Sequence, residues 1–130
     1  MRLVQVYTPP TPSFSDIPQT YGSFTRAGGG AVVFDGLGFA PHLIHFQCRD
    51  LNSGNLNFSI AITNPSISFL LAIIDNGSGT ITDAGYCLFI RRDPVNSIYG
   101  IVTDFGVDSF TITFTLTGSC QIRGHWVAFG

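Results

Sequence analysis

Three side chains able to bind zinc lie at intervals of three residues in this sequence: His42, His45 and Cys48. Imidazole nitrogen and thiolate sulfur are preferred zinc ligands, and a structural site needs four ligands around one ion. The surrounding residues alternate as in a β-strand, where His42 and Cys48 point to one side of the sheet and His45 to the other. The spacing therefore predicts no metal site.

Two glycine-containing stretches have residue types that can bind ions or phosphates. Asp75–Gly79 offers oxygen ligands but lacks the acidic residue that closes a calcium loop. Gly28–Gly30 lacks the preceding strand, the following helix and the spacing of a phosphate-binding loop. We expect both stretches to form turns, and we expect no bound cofactor.

The nucleophiles and carboxylates do not form a recognisable catalytic set. Acyl transfer needs a Ser or Cys beside a His that a carboxylate orients, and Ser78 lacks the flanking pattern of a nucleophile elbow. Asp104 and Asp108 could act as a glycosidase carboxylate pair, but they bracket a short turn, where Asp is common. The sequence predicts no catalytic residue, and we expect a protein that is not an enzyme.

The composition favours β-structure. The charged residues are six Arg and eight Asp, with no Lys and no Glu. Lys and Glu are typical of exposed helix faces, whereas the abundant Thr, Ser, Val, Ile and Phe favour strands. An all-β domain is therefore predicted. A net charge of −2 with scattered arginines gives no basic stripe, so we expect no nucleic-acid partner.

Neither a membrane span nor a secretion signal is expected. The longest apolar run, Phe69–Ile74, is far shorter than the roughly 20 residues of a membrane helix, and we predict that it is a buried strand. Pro9 follows Met1 too closely for the apolar segment of a signal peptide, so we expect synthesis in a cytoplasm without secretion by such a signal. The three cysteines are odd in number and widely spaced, which favours reduced core thiols over a disulfide.

The first thirty residues differ from the rest of the chain. Pro9, Pro10 and Pro12 enforce extended backbone, so residues 1–30 are predicted to form an extended arm and residues 31–130 a folded domain. The arm carries apolar anchors that we expect to lie against a surface of this domain or of a neighbour. The anchors predicted to bind a partner are Tyr7, Phe14, Ile17 and Tyr21.

Short apolar stretches alternate with turn signals at the spacing of a sandwich or a barrel. Eight strands are predicted, which suits an antiparallel, jelly-roll-like β-sandwich: 31–34, 43–49, 56–62, 68–74, 86–91, 97–103, 109–116 and 121–129. The last two strands are predicted to form a hairpin that commits the C-terminus to the core. Twelve Phe, four Tyr and one Trp beside fourteen charged residues exceed what a small two-layer core hides, so we expect oligomerisation.

Two stretches of the chain carry a resemblance. The glycine-rich stretch 36–46 resembles the entry into a strand found in small β-sandwich domains of tailed-bacteriophage virion proteins. Residues 108–130 resemble the closing hairpin of the same domains and are similar to the H-type lectin-like fold. In these motifs Gly38 and Pro41 shape a turn, and Trp126 and Phe129 are expected in the core. Such domains form trimeric fibre tips, baseplate pieces or capsid decoration proteins.

The resemblance implies a structural protein of a virion that binds other capsid or tail subunits, and it implies a homotrimer. Fibre tips follow a long shaft, whereas only an arm precedes this sandwich, so a capsid decoration or cement protein is the leading expectation. The alternative is a receptor-binding or carbohydrate-binding module at a tail tip or fibre, with a host-surface glycan held by the loops at 52–55 and 75–78.

Overall fold

The computed structural model describes residues 17–52, 57–83 and 85–130, which form two antiparallel sheets packed as a β-sandwich. This confirms the predicted fold class. The strands are β1 (Gln19–Arg26), β2 (Gly30–Phe34), β3 (Leu43–Asp50), β4 (Phe58–Thr63), β5 (Ser68–Ile74), β6 (Gly79–Asp83), β7 (Leu88–Asp93), β8 (Asn96–Phe105), β9 (Phe110–Thr117) and β10 (Ile122–Phe129). The six-stranded sheet has the order β1-β10-β3-β4-β5-β6, and the four-stranded sheet has the order β2-β9-β8-β7.

Two of these ten strands are absent from the eight that the sequence predicts. Strand β1 lies within the stretch assigned to the arm, yet all eight of its residues pair with β10. Gly22 occupies one of the inward positions of β1. Because it has no side chain, it interrupts the apolar alternation by which strands are recognised. Strand β6 has a single apolar side chain, Ile81, among threonines and a glycine. Residues 1–16, which contain Tyr7 and Phe14, lie outside the described residues.

The predicted terminal hairpin is wrong, although both of its strands exist. Strand β9 pairs with β2 and β8, whereas β10 pairs with β1 and β3 in the other sheet. The connection at 118–121 carries the chain across the sandwich. Asn96 Oδ1 accepts the Ser119 N–H at 2.8 Å, and Asn52 Oδ1 accepts the Gln121 N–H. The two strands therefore face each other across the core and are not neighbours in one sheet.

The core is centred on aromatic rings from both sheets. Phe110 of β9 stacks on Phe34 of β2, with ring centroids 4.9 Å apart, and lies edge-on to Trp126 of β10 at 5.1 Å. Phe46 of β3 makes a further edge contact with Phe110 at 5.9 Å. Trp126 lies in the core, as predicted. The prediction is wrong for Phe129, which lies on the opposite side of β10 and is half-buried.

Strand β1 is held on β10 by side chains of complementary size. A Cβ at Gly22 would lie 2.5 Å from the Trp126 ring, and a Cβ at Gly124 would overlap the Phe24 ring. Gly22 pairs with Trp126, and Phe24 pairs with Gly124, so each large ring covers a glycine on the neighbouring strand. With this packing, alternate residues of the edge strand are half-buried and the others are exposed.

Within the described ranges, no helix is long and apolar enough to cross a membrane.

We expect Gly22→Ala and Gly124→Ala to destabilise the protein by about 1–3 kcal/mol, because each added methyl group overpacks the contact between β1 and β10. Chemical denaturation measures the loss. Gly28→Ala is the matched control, since the nearest atom to its added Cβ is an arginine side-chain atom at 3.9 Å. Equal stability of Gly22→Ala and Gly28→Ala would contradict the proposed packing role.

Candidate functional site

The most unusual surface among the described residues is the outer face of the six-stranded sheet, which is the side turned away from the four-stranded sheet. Successive side chains of a strand point to opposite sides. Because Ile44, Phe46, Ser59, Ala61 and Trp126 are buried between the sheets, the alternate residues of β3, β4 and β10 must lie on the outer face. The core thus determines which side chains this face presents.

The outward side chains of β4 and β5 form an apolar ladder of three cross-strand pairs. The pairs are Phe58 with Ile73, Ile60 with Leu71, and Ile62 with Phe69. Five of the six side chains are exposed, and Phe69 is 60% exposed. The ladder lies inside the sheet, between β3 and β6, so these side chains form one contiguous patch.

The outward side chains of β3 and β10 continue the same rows with polar and cationic groups. Arg123 of β10 is directly opposite Arg49 of β3, and Arg49 is opposite Phe58 of β4. In the next row His125 is opposite Gln47, which is opposite Ile60. The outer face therefore has an apolar half and a cationic half, and none of its described outward positions holds an acidic residue.

A depression of about 280 Å³ lies where the two halves meet. Its lining includes the outward side chains of three adjacent strands: Gln47, Arg49, Phe58, Ile60, Arg123 and His125. This volume is near the lower end of the range for small-molecule sites. The depression can accommodate a single side chain or a small ligand that combines an anionic group with an apolar group.

The arginines of the described residues divide into two groups. Arg91 makes a two-pronged ion pair with Asp75, at 2.9 and 3.0 Å, and Arg92 contacts the buried carboxylate of Asp50 at 3.4 Å. Arg26 donates to backbone carbonyls and lies over the Phe114 ring. No described acidic side chain pairs with Arg49 or Arg123.

The polar groups of the loops beside the Asp50–Arg92 contact form hydrogen bonds within the protein. Asp50 accepts from the Asn52 N–H and from the Asn57 amide, and Asn57 Oδ1 accepts the Asn76 N–H at 2.8 Å. Asn76 has a φ of 58°, a left-handed conformation that these contacts hold. Of the loops expected to bind a glycan at 52–55 and 75–78, residues 53–55 lie outside the described residues. Asn52, Asp75 and Asn76 already make hydrogen bonds within the protein.

The predicted partner-binding anchors are only partly described. Ile17 precedes β1 and is 43% exposed, and Tyr21 of β1 is 82% exposed. Tyr21 is opposite Val127 of β10, so it lies on the outer face. Strands β10 and β3 separate it from the apolar ladder. Tyr7 and Phe14 fall outside the described residues.

The apolar ladder is the feature that sequence reasoning missed. The prediction that Phe69–Ile74 is a buried strand is wrong for Phe69 and Leu71, which point outward. In β4 large Phe and Ile alternate with small Ser and Ala, and the usual assignment would place the large residues inside. The small residues are inside because the bulky side chains of the facing strands leave little space there.

Residues considered for metal binding or catalysis are not brought together. Cys48 is buried between the sheets, His45 lies on the outer face, and His42 is exposed before β3. Across the described ranges no group of three or more His, Cys, Asp or Glu side chains could hold an ion. The Asp108 carboxylate accepts the Gly38 N–H and so anchors the loop before β3.

Comparison of the chain with protein-family profiles, with curated proteins and with solved structures found no match.

The three cysteines are free and buried. Burial raises the pKa of Cys48 to about 12 and that of Cys120 to about 11, and burial also raises the pKa of Cys87. Core thiols of this kind are unreactive, because the thiolate is the nucleophile.

We expect no thiol labelling of the folded protein at pH 8 at these three positions, and labelling of all three after unfolding. Unfolded thiols ionise near pH 8.5, below the raised values in the folded state. The free energy of unfolding should therefore fall as the pH rises above about 8.5. A disulfide-exchange reagent and urea titrations at two pH values test both points. Rapid labelling without unfolding would contradict the buried assignment.

Proposed function

We propose that this chain is a non-enzymatic structural protein that binds another protein subunit through the outer face of its six-stranded sheet. The observation that carries the proposal is the apolar ladder on two paired strands, in which five side chains are exposed and Ile73 is half-buried. The exposed five are Phe58, Ile60, Ile62, Phe69 and Leu71. A contiguous apolar patch rimmed by polar residues is typical of a protein interaction site.

The composition of the face supports a protein as the occupant. Interfaces that bind proteins have an apolar centre, a polar rim, and more aromatic residues and Arg than other surfaces. The ladder supplies the centre, while Arg49, Arg123, His125 and Gln47 supply one side of the rim. Because the described outward positions hold cations and no acid, the complementary partner has an acidic edge and differs from a second copy of this face.

We propose that the partner is another virion subunit and that this protein is a bacteriophage capsid decoration or cement protein. The support is the resemblance of residues 36–46 to small virion β-sandwich domains, since the closing hairpin expected at 108–130 is not formed. A homotrimer located on the virion follows from the same resemblance. In such an assembly a flat sheet face can dock on the capsid while the other sheet faces outward.

The N-terminal segment is proposed to add to this docking. Ile17 and Tyr21 are exposed, and Tyr21 belongs to β1, the edge strand that pairs with β10. The sequence of that segment supplies two further apolar anchors, Tyr7 and Phe14. Burying such side chains stabilises the complex by about 25 cal/mol per Å² of apolar surface. This gain offsets part of the entropy lost when the arm becomes ordered.

A carbohydrate-binding tail module is the second candidate. Its specific support is a half-buried aromatic cluster by the four-stranded sheet, in which Tyr86 and Tyr99 lie 4.7 Å apart and Phe89 stacks parallel to Tyr99. Aromatic rings of this kind can stack on sugars. A glycan array on which the protein binds, combined with no binding to phage particles, would favour this candidate over the first.

We expect the double substitution Ile60→Ser and Leu71→Ser to weaken binding to purified phage particles at least about tenfold, since burying each side chain contributes about 1.5–3 kcal/mol. The two residues form the middle pair of the ladder and both are partly exposed, so the fold should be retained at a cost of about 1 kcal/mol for the lost cross-strand pair. Co-sedimentation with particles that lack the protein measures the binding.

The matched control is Val33→Ser with Val107→Ser, because both valines are exposed but lie away from the outer face. The control variant should bind like the unmodified protein. Unchanged binding by the ladder variant, with both variants folded, would exclude the outer face as the docking surface.

Removing residues 1–16 should weaken particle binding by about tenfold if the arm buries two aromatic anchors on the partner. The cut lies before β1, which begins at Gln19, so all ten described strands are retained. Tyr7→Ser with Phe14→Ser in the full chain separates loss of the anchors from loss of the segment. Full binding by the shortened protein would remove the arm from the proposal and leave the ladder unaffected.

A further inference from the structure

The cationic half of the outer face contains a local conflict. Arg49 and Arg123 are directly opposite each other on neighbouring strands and point to the same side. Like charges at directly opposed positions destabilise a sheet. The other described arginines have internal partners, whereas no described acid pairs with these two. Residues that break a local rule without a compensating contact are expected at functional sites.

We propose that Arg49 and Arg123 form a binding site for a carboxylate that adjoins an apolar group, and that an acidic side chain of the partner protein supplies it. The proposal rests on the proposed function, since it names the chemistry of the partner at the same face. The site is the depression of about 280 Å³ at the boundary between the cationic and apolar halves.

The geometry favours a carboxylate as the anion. A guanidinium is a planar fork of N–H donors that matches the two oxygens of a carboxylate, and charge-assisted bonds of this kind are about twice as strong as neutral ones. Two such forks extend from one pair of directly opposed strand positions on the same side of the sheet. Gln47 and His125, the next pair along the same strands, add an amide and an imidazole beside the guanidinium groups.

The apolar part of the ligand follows from the cross-strand register. Phe58 is opposite Arg49, and Ile60 is opposite Gln47. Neighbouring strands lie about 4.8 Å apart, so the guanidinium groups and the Phe58 ring are within reach of one small ligand. A matching partner surface presents an Asp or Glu beside a large apolar side chain. A nucleic-acid backbone fits less well, because phosphate binding needs more clustered cations.

The test uses 3-phenylpropionate as the probe, because it combines a carboxylate with a phenyl group, and 3-phenylpropionamide as its uncharged match. Both are titrated into the full-length protein and followed by NMR at the backbone amides of β3, β4 and β10 and at the arginine side-chain N–H groups. We expect the acid to bind at least about tenfold more tightly than the amide. Equal affinity of acid and amide would overturn the proposal.

Three variants assign the binding to the arginine pair. Arg49→Gln with Arg123→Gln should reduce affinity for the acid at least about tenfold. Thr115→Glu introduces a negative charge at an exposed position on the four-stranded sheet and should leave affinity within about twofold, because bulk charge is screened over this distance. Retained affinity in the double variant would overturn the assignment.

Arg123→Glu gives a readout that a merely structural role would not produce. It places opposite charges at directly opposed positions, which stabilises an antiparallel pair. We expect the melting temperature to rise while binding of 3-phenylpropionate is lost. A variant that is less stable than the unmodified protein, or that still binds the acid, would count against the arginine pair as an anion site.

Two further measurements separate this inference from the proposed function. If the double arginine variant binds particles normally while the ladder variant does not, the carboxylate site is wrong and the docking face stands. If the ladder variant binds normally, the docking face itself is wrong. Glucuronate binding more tightly than 3-phenylpropionate would replace the acidic side chain with an acidic sugar and overturn the assignment to a protein partner.

Discussion

The packing of Phe110 against rings of both sheets is the contact on which the rest of the structure depends. Phe34 and Phe110 belong to the four-stranded sheet, and Phe46 and Trp126 belong to the six-stranded sheet. Their burial fixes which side of β3 and β10 faces inward. Because strand side chains alternate, it also fixes the outward positions of Arg49 and Arg123.

The same core explains why the large apolar residues of β4 lie outside. The inward positions of β4 are Ser59, Ala61 and Thr63, all buried, and Ala61 is directly opposite Phe46. Interiors are close-packed, so the space beside this ring accepts small side chains more easily than large ones. A second large set placed inside would overpack the core. The exposed ladder is thus a consequence of core volume as well as a surface available for binding.

Much of the fold follows from local pattern, and the exceptions have physical causes. The strand 68–74 is predicted with its observed bounds, and the strands at 43–49, 109–116 and 121–129 are predicted within one residue. The pairing of the last two strands is not predictable, because alternation marks a strand without naming its neighbour. Strand β1 escapes recognition because Gly22 carries no side chain, although that absence lets Trp126 cover it. The sequence predicts no residue of the apolar ladder. Of its predicted anchors, Ile17 and Tyr21 are found exposed, and two strands separate Tyr21 from the ladder.

The sequence by itself determined the all-β class, most strand positions and the absence of a recognisable catalytic or metal-binding pattern, since composition, period and turn residues are local properties. The tertiary structure decided that β9 and β10 lie in different sheets, that the ladder is exposed, and that Arg49 is directly opposite Arg123. These depend on register between strands far apart in the chain. Register is set by the packing of the whole core, and no stretch of sequence contains that information alone.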